Sequence, residues 1–250
     1  MYKYLRLTLL SPFALLARTI LFLMGWKLLD WLTLERLLER KRCVLVFSHT
    51  SYADFFLLTL YMISYPNDLD KIRILITPRM FEYYGLNWFL KQLGGIPAPK
   101  FDERGGNSVA RIVAELNSVK HCMFLISPKG TIVKAPWRSG YYHIAKGIKA
   151  DLRVAGLDYE QKHICVYSAV SYLKDQKVIE YVLKDHLGSI VPLNPEDETV
   201  EIRRHDKDKV GIVDWQRLGT IIAILLLFYY VGDIYVMLLA LMLWLGAEQV

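Results

Sequence analysis

Apolar positions along the chain fall into two kinds of pattern. In the centre, short apolar runs alternate with longer stretches whose apolar residues recur every three or four positions. Runs of strand character occur at 43–47, 72–76, 122–126, 153–157 and 164–170, and a sixth lies at 178–183. Helical patterns stand between several of them, at 54–64, 81–93, 108–119 and 139–149. In the 108–119 stretch, residues 109, 112, 113 and 116 share one helix face. Alternating strands and helices predict an α/β domain over residues 40–210, a mixed sheet covered by helices. The run 194–209 is polar and mixed in charge and reads as a surface loop or linker, with no function assigned to it.

The flanks are different. Residues 5–32 read LRLTLLSPFALLARTILFLMGWKLLDWL. Pro12 interrupts the run early, and Arg18 and Lys27 interrupt it later. A charge at mid-bilayer costs about 2.5–3.5 kcal/mol, which argues against a simple span. A long basic side chain can instead snorkel from a helix lying in the interface. Two short interfacial helices are therefore expected within residues 1–39, with Trp26 and Trp31 at headgroup depth. A helix packed on the domain is the alternative. Residues 221–245 are almost wholly apolar, with Asp233 the one charge. That length suits one tilted span, while Gly232-Asp233 at its centre suits a hairpin. Residues 211–250 are expected to be a membrane anchor in either form. The basic run 203–209 before it favours the cytoplasmic side, which would place the active site there.

Composition sharpens this picture. Residues of the AVILMFWYC set make up 54% of the 250, which excludes a disordered chain. The 31 Lys and Arg outnumber the 25 Asp and Glu, so the net charge is +6. A basic, apolar protein suits an anionic membrane or a phosphorylated substrate. No zinc-finger, leucine-zipper or RNA-binding pattern accompanies the charge, so nucleic acid is not an expected partner. Cys43, Cys122 and Cys165 sit in apolar runs without metal-ligand spacing and read as buried thiols. No metal or other cofactor is expected.

Candidate chemistry begins where the first strand ends, in the segment SHTSYAD, residues 48–54. His49 precedes Asp54 by five residues, a spacing that can return a loop histidine to the first turn of the next helix. A carboxylate on one ring nitrogen orients the imidazole, and the other nitrogen can then take a proton from a hydroxyl. No serine nucleophile in a G-x-S-x-G elbow is present, so the attacking group would be a substrate hydroxyl. Taken alone, the pair reads better as a capping or core histidine and a helix-start carboxylate. The company it keeps decides otherwise. Arg104 lies in a glycine-flanked loop before a helix. The strand 122–126 runs into SPKGTIVKAPWRSG, which holds Lys129, Lys134 and Arg138 around Gly130 and Thr131. Basic loops between strand ends and helix starts suit phosphate.

These segments together resemble the glycerolipid acyltransferase superfamily, the 1-acylglycerol-3-phosphate acyltransferases. The family's Asn-His-x4-Asp block stands here as Ser48-His49-x4-Asp54. Its second block ends in an arginine, matched by Arg104. Its Phe-Pro-Glu-Gly-Thr-Arg block stands as residues 127–132, with Lys129 for the glutamate and Ile132 for the arginine. Its fourth block, an apolar strand, stands at 154–159 without the family's proline. The four blocks follow in the family's order over about residues 43–160, and the N-terminal interfacial helices resemble those of family members. The resemblance implies a membrane-bound enzyme that moves a fatty acyl group from acyl-CoA, or from acyl-carrier protein, to the free hydroxyl of a lysophospholipid. It implies His49 as general base and Asp54 as its orienting group. Arg104, Lys129, Gly130, Thr131, Lys134 and Arg138 would then bind the acceptor phosphate, with Lys134 or Arg138 replacing the missing arginine. Backbone amides near Gly130 are candidates for the oxyanion. A thioester or lipid hydrolase, and a non-catalytic protein binding anionic lipid, are the competing readings.

Overall fold

The computed structural model describes residues 2–27, 42–83, 85–99 and 106–203. The elements that carry the fold are α1 (Tyr2–Leu23), β1 (Arg42–Phe47), α2 (Tyr52–Ser64), β2 (Ile72–Ile76), α3 (Leu86–Gln92) and β3 (Gly95–Pro97). They continue with α4 (Gly106–Asn117), β4 (Cys122–Ile126), α5 (Gly140–Gly147), β5 (Asp151–Asp158), β6 (His163–Val166) and α6 (Gln176–Leu187). The strands form one sheet in the order β3-β2-β4-β1-β5-β6. All neighbours are parallel except β5 and β6, so the sheet is mixed, as the alternating pattern predicts.

β1 lies between β4 and β5 and buries all of its residues from Cys43 to Phe47. A strand covered on both faces reads as a continuous apolar run rather than an alternation, which is the character of CVLVF. Val44 and Val46 join Phe124, Ile126, Leu152 and Val154 in a core closed by Ile112 and Leu116 of α4, Tyr141 and Ile144 of α5, and Leu183 of α6. Fully burying each large aliphatic side chain stabilises the fold by about 1.5–3 kcal/mol.

Several expectations are corrected. Residues 178–183 are helical, inside α6. Asp175 caps this helix through its Oδ1, which accepts from the Lys177 amide at 2.8 Å. Ile179, Leu183 and Leu187 recur every four residues and are buried, while Val178 and Tyr181 are exposed. That is a helix stripe, and the β-branched residues beside it do not outweigh it. The run 164–170 is only partly a strand. β6 ends at Val166, and the chain returns as a single bridge between Val170 and Leu152. In 81–93 the left-handed Gly85 (φ +78°) separates a 3-10 turn, Pro78–Phe81, from the short α3. The three-residue β3 has too little pattern to be read from sequence.

In the N-terminal segment α1 runs unbroken through Pro12, and the part of the expected helix pair at 28–39 lies outside the described residues. An internal proline costs about 3 kcal/mol. Packing offsets it: Ala14, Ala17, Ile20 and Leu21 are buried, and α1 lies along α2. Arg18 reaches across to the end of α2. Its guanidinium donates to the Ser64 carbonyl through Nε (3.1 Å) and Nη2 (2.7 Å) and lies over the Tyr65 ring. Trp26 is buried, edge-on to both Tyr61 and Tyr159. The outer face of α1 still exposes Phe13, Leu15 and Phe22. Among the described residues no helix is long and apolar enough to cross a membrane. The expected anchor at 211–250 and Trp31 lie outside the described residues.

Candidate active site

β1, β4 and β5 are parallel neighbours, so their C-terminal ends open on the same edge of the sheet. The segments that follow them are Ser48–Ser51, Ser127–Gly130 and Tyr159. Ends of parallel strands are where α/β sheets place their ligands, because the backbone there is exposed yet held by the ladder.

Asp54 is the centre of this edge. It stands in the first turn of α2 and is 3% exposed, although a carboxylate is rarely buried without partners. Four donors surround it. Its Oδ2 accepts from the Thr50 amide at 2.8 Å, from the Ser51 amide at 2.9 Å, and lies 3.3 Å from His49 Nδ1. Its Oδ1 accepts from the Tyr159 hydroxyl at 2.7 Å. The carboxylate is therefore both a helix cap and a partner of the histidine; the two readings of the sequence are one arrangement. Ser51 completes the cap, its hydroxyl accepting from the Ala53 amide. The His49 side chain is 29% exposed, so its ring can meet a substrate while its Nδ1 edge faces a fixed anion.

Sequence reasoning missed Tyr159 as a functional residue. It ends the segment matched to the family's fourth block and has no pattern of its own. Burial pushes its phenol far above the ordinary tyrosine range, and the Asp54 carboxylate pushes it further. It therefore remains a donor at every working pH. Trp26 packs against its ring at a centroid distance of 5.1 Å, which ties the end of α1 to the site.

The loop after β4 departs from expectation. Lys129 is 1% exposed and does not face outward. Its ammonium donates to the Asp197 carbonyl at 2.7 Å and lies 3.8 Å from the Glu198 carboxylate. Burial pushes this amine below the usual lysine range, and Glu198, with Asp197 and Asp54 behind it, pushes it back up. The Gly130 amide donates to the Ser127 carbonyl, so it already has a partner where an oxyanion donor was expected. Gly130 adopts φ +66°, a conformation that suits glycine. Thr131 is half-buried and accepts from the Val133 amide, while Lys134 and Arg138 are exposed. The Arg138 guanidinium lies beside Gly130, 3.8 Å from where a Cβ would stand. Arg104 lies outside the described residues. Among the described residues no cluster of histidine, cysteine and carboxylate side chains could hold a metal.

The run after residue 193 is not a featureless surface loop either. Glu198, 2% exposed, accepts from the Ser48 hydroxyl at 2.5 Å, and Asn194 bonds to Thr50. No sequence signal marked either residue.

A family model described as acyltransferase matches residues 31–156, just over half of the chain and all of β1 through most of β5. The chain belongs to the acyltransferase family. No curated protein matches the sequence. A similar solved structure is that of PlsC from Thermotoga maritima, a 1-acyl-sn-glycerophosphate (LPA) acyltransferase. It is 12% identical, with a TM-score of 0.50, over 75% of this chain and 81% of that one. At that identity the likeness concerns the fold. The acyltransferase's α/β architecture is thus shared with PlsC, and His49 and Asp54 fall within the matched family region.

Proposed function

We propose that this acyltransferase moves a fatty acyl group from a thioester, acyl-CoA or acyl-carrier protein, to the free hydroxyl of lysophosphatidic acid or a related lysoglycerophospholipid. The contact between His49 and Asp54 at the open edge of the sheet carries this reading. With Nδ1–H donated to Asp54, Nε2 holds the lone pair that accepts the hydroxyl proton. The hydroxyl oxygen attacks the thioester carbonyl, the C–S bond breaks, and the thiolate leaves with the proton from His49. The buried carboxylate, held by four donors, stabilises the imidazolium in between.

The acceptor phosphate is assigned to the exposed cations of this edge, Arg138 and Lys134, together with Arg104. Lys129 acts behind them, on the protein. The apolar outer face of α1 is the surface we assign to the lipid bilayer, supported by Phe13, Leu15 and Phe22, each more than half exposed.

An acyl-transfer assay tests this. It uses purified full-length protein in detergent, oleoyl-CoA as donor, and a panel of lysophospholipids including lysophosphatidic acid. His49→Ala is expected to lower kcat by about 10²–10⁴-fold, the usual worth of a general base. Free fatty acid as the only product would replace the transferase with a hydrolase. Full activity in His49→Ala would remove His49 from the mechanism.

A further inference from the structure

The segment Asn194–Thr199 follows α6 and lies beyond the region matched to the family. It crosses the open edge of the sheet and makes side-chain hydrogen bonds to both loops there. Glu198 Oε2 accepts from the Ser48 hydroxyl. The Asn194 side-chain amide donates to the Thr50 carbonyl at 2.9 Å, and its backbone amide lies 3.4 Å from the Thr50 hydroxyl. Ser48 and Thr50 are the two neighbours of His49. The same segment holds the loop after β4: Lys129 donates to the Asp197 carbonyl, and the Thr199 hydroxyl donates to the Ala135 carbonyl at 2.7 Å.

These contacts are costly to bury without purpose. Lys129 and Glu198 side chains are each 1% exposed, and such a pair is seldom a gain in stability over apolar residues of similar volume. A surface loop would need none of it. Glu198 also has both oxygens occupied, since Oε1 accepts from the Thr199 amide at 2.7 Å. Its orientation is therefore over-determined, which is what a group that aims another group requires.

We infer that Asn194–Thr199 is a strap that clamps His49 by its two neighbours, with Glu198 and Asn194 as positioning residues for the proposed base. Lys129 neutralises Glu198 and fixes the strap to the loop after β4. The inference rests on the reading of His49 as general base. The strap touches no substrate; it acts through the backbone on either side of the histidine.

Two double variants separate positioning from scaffolding. Lys129→Met with Glu198→Gln removes both charges and keeps a hydrogen bond to Ser48. Lys129→Met with Glu198→Leu removes both charges and that hydrogen bond as well. The Gln side chain can still accept from the Thr199 amide, whereas Leu leaves that amide and the Ser48 hydroxyl unpaired, so the Leu double variant is expected to melt lower and kcat is compared at a temperature where both are fully folded. In the oleoyl-CoA and lysophosphatidic acid assay, the Gln double variant is expected within about threefold of wild-type kcat, since paired removal of buried charges is often neutral. The Leu double variant and Asn194→Ala are expected to lose about tenfold or more in kcat, with KM for both substrates little changed, because a misplaced base slows chemistry and not binding. Equal kcat for the two doubles and wild-type kcat for Asn194→Ala would overturn the strap. If either double variant does not fold, Asn194→Ala decides alone by the same criterion. An inactive wild type, or an active His49→Ala, would instead overturn the functional reading and the inference with it.

Discussion

Tyr159→Phe removes one oxygen and leaves the ring. The phenyl group still meets the edge of Trp26, so the junction between α1 and the sheet is kept. What disappears is the 2.7 Å hydrogen bond to Asp54 Oδ1. That oxygen has no other partner among the described residues, and Asp54 is 3% exposed, so water replaces the phenol poorly. A hydrogen bond to a charged group is worth about 1.5–3 kcal/mol net, which sets the expected loss of stability. For a domain of this size about 1 kcal/mol lowers Tm by roughly 2–4 °C, so a fall of roughly 3–12 °C is expected. The catalytic loss has a separate origin. Oδ2 keeps its two amides, but Oδ1 no longer fixes the rotation of the carboxylate plane. The 3.3 Å approach to His49 is already long and lengthens first. A fall in kcat of about tenfold is expected, with KM for oleoyl-CoA and lysophosphatidic acid unchanged. Steady-state kinetics and thermal unfolding on the same preparation give both numbers. A lower Tm with wild-type kcat would refute the reasoning, because Asp54 would then not need Tyr159 to serve His49.

Gly94 adopts φ +78°, and a Cβ there would stand 2.0 Å from the Ile72 carbonyl oxygen. Gly94→Ala is therefore expected to force β3 away from β2 and lower Tm well beyond the effect of a surface substitution, which thermal unfolding checks. Burial pushes the Cys165 thiol up to about 12, with Asp158 adding to it. Well below pH 9 both folded and unfolded thiols are neutral; from about pH 8 upward the unfolded one ionises, while the folded one stays neutral until about 12. Stability is expected to fall across that window, less steeply in Cys165→Ser, as measured by denaturant unfolding against pH. Native Cys165 is expected to resist iodoacetamide at pH 8.5 under conditions that label the unfolded chain.

How much of this was legible in the sequence depended on the range of the forces involved. β2 and β4 have the bounds that their apolar runs predict, because a buried strand is a local fact of composition. The pairing of His49 with Asp54 was legible for the same reason: one helix cap brings them together within five residues. Misreadings arose where a local signal competed with distant packing. The Val and Ile of 178–183 suggest a strand until Ile179, Leu183 and Leu187 find the core. Pro12 suggests a break until Ala14, Ala17, Ile20 and Leu21 pack the turns that follow it. Trp26 suggests a headgroup-depth anchor until Tyr61 and Tyr159 are placed beside it.

The sequence alone determined the class of fold and the pairing of His49 with Asp54, since each follows from residues close together in the chain. Only the tertiary structure decided what surrounds that pair. Tyr159 lies 105 residues from Asp54, and Glu198 lies 150 from Ser48. No spacing rule connects such positions, because their contact is set by the order of strands in the sheet. The same order turned Lys129 inward: an ammonium expected to meet phosphate meets Glu198 instead, because the chain returns over the sheet edge after α6 and buries a carboxylate there.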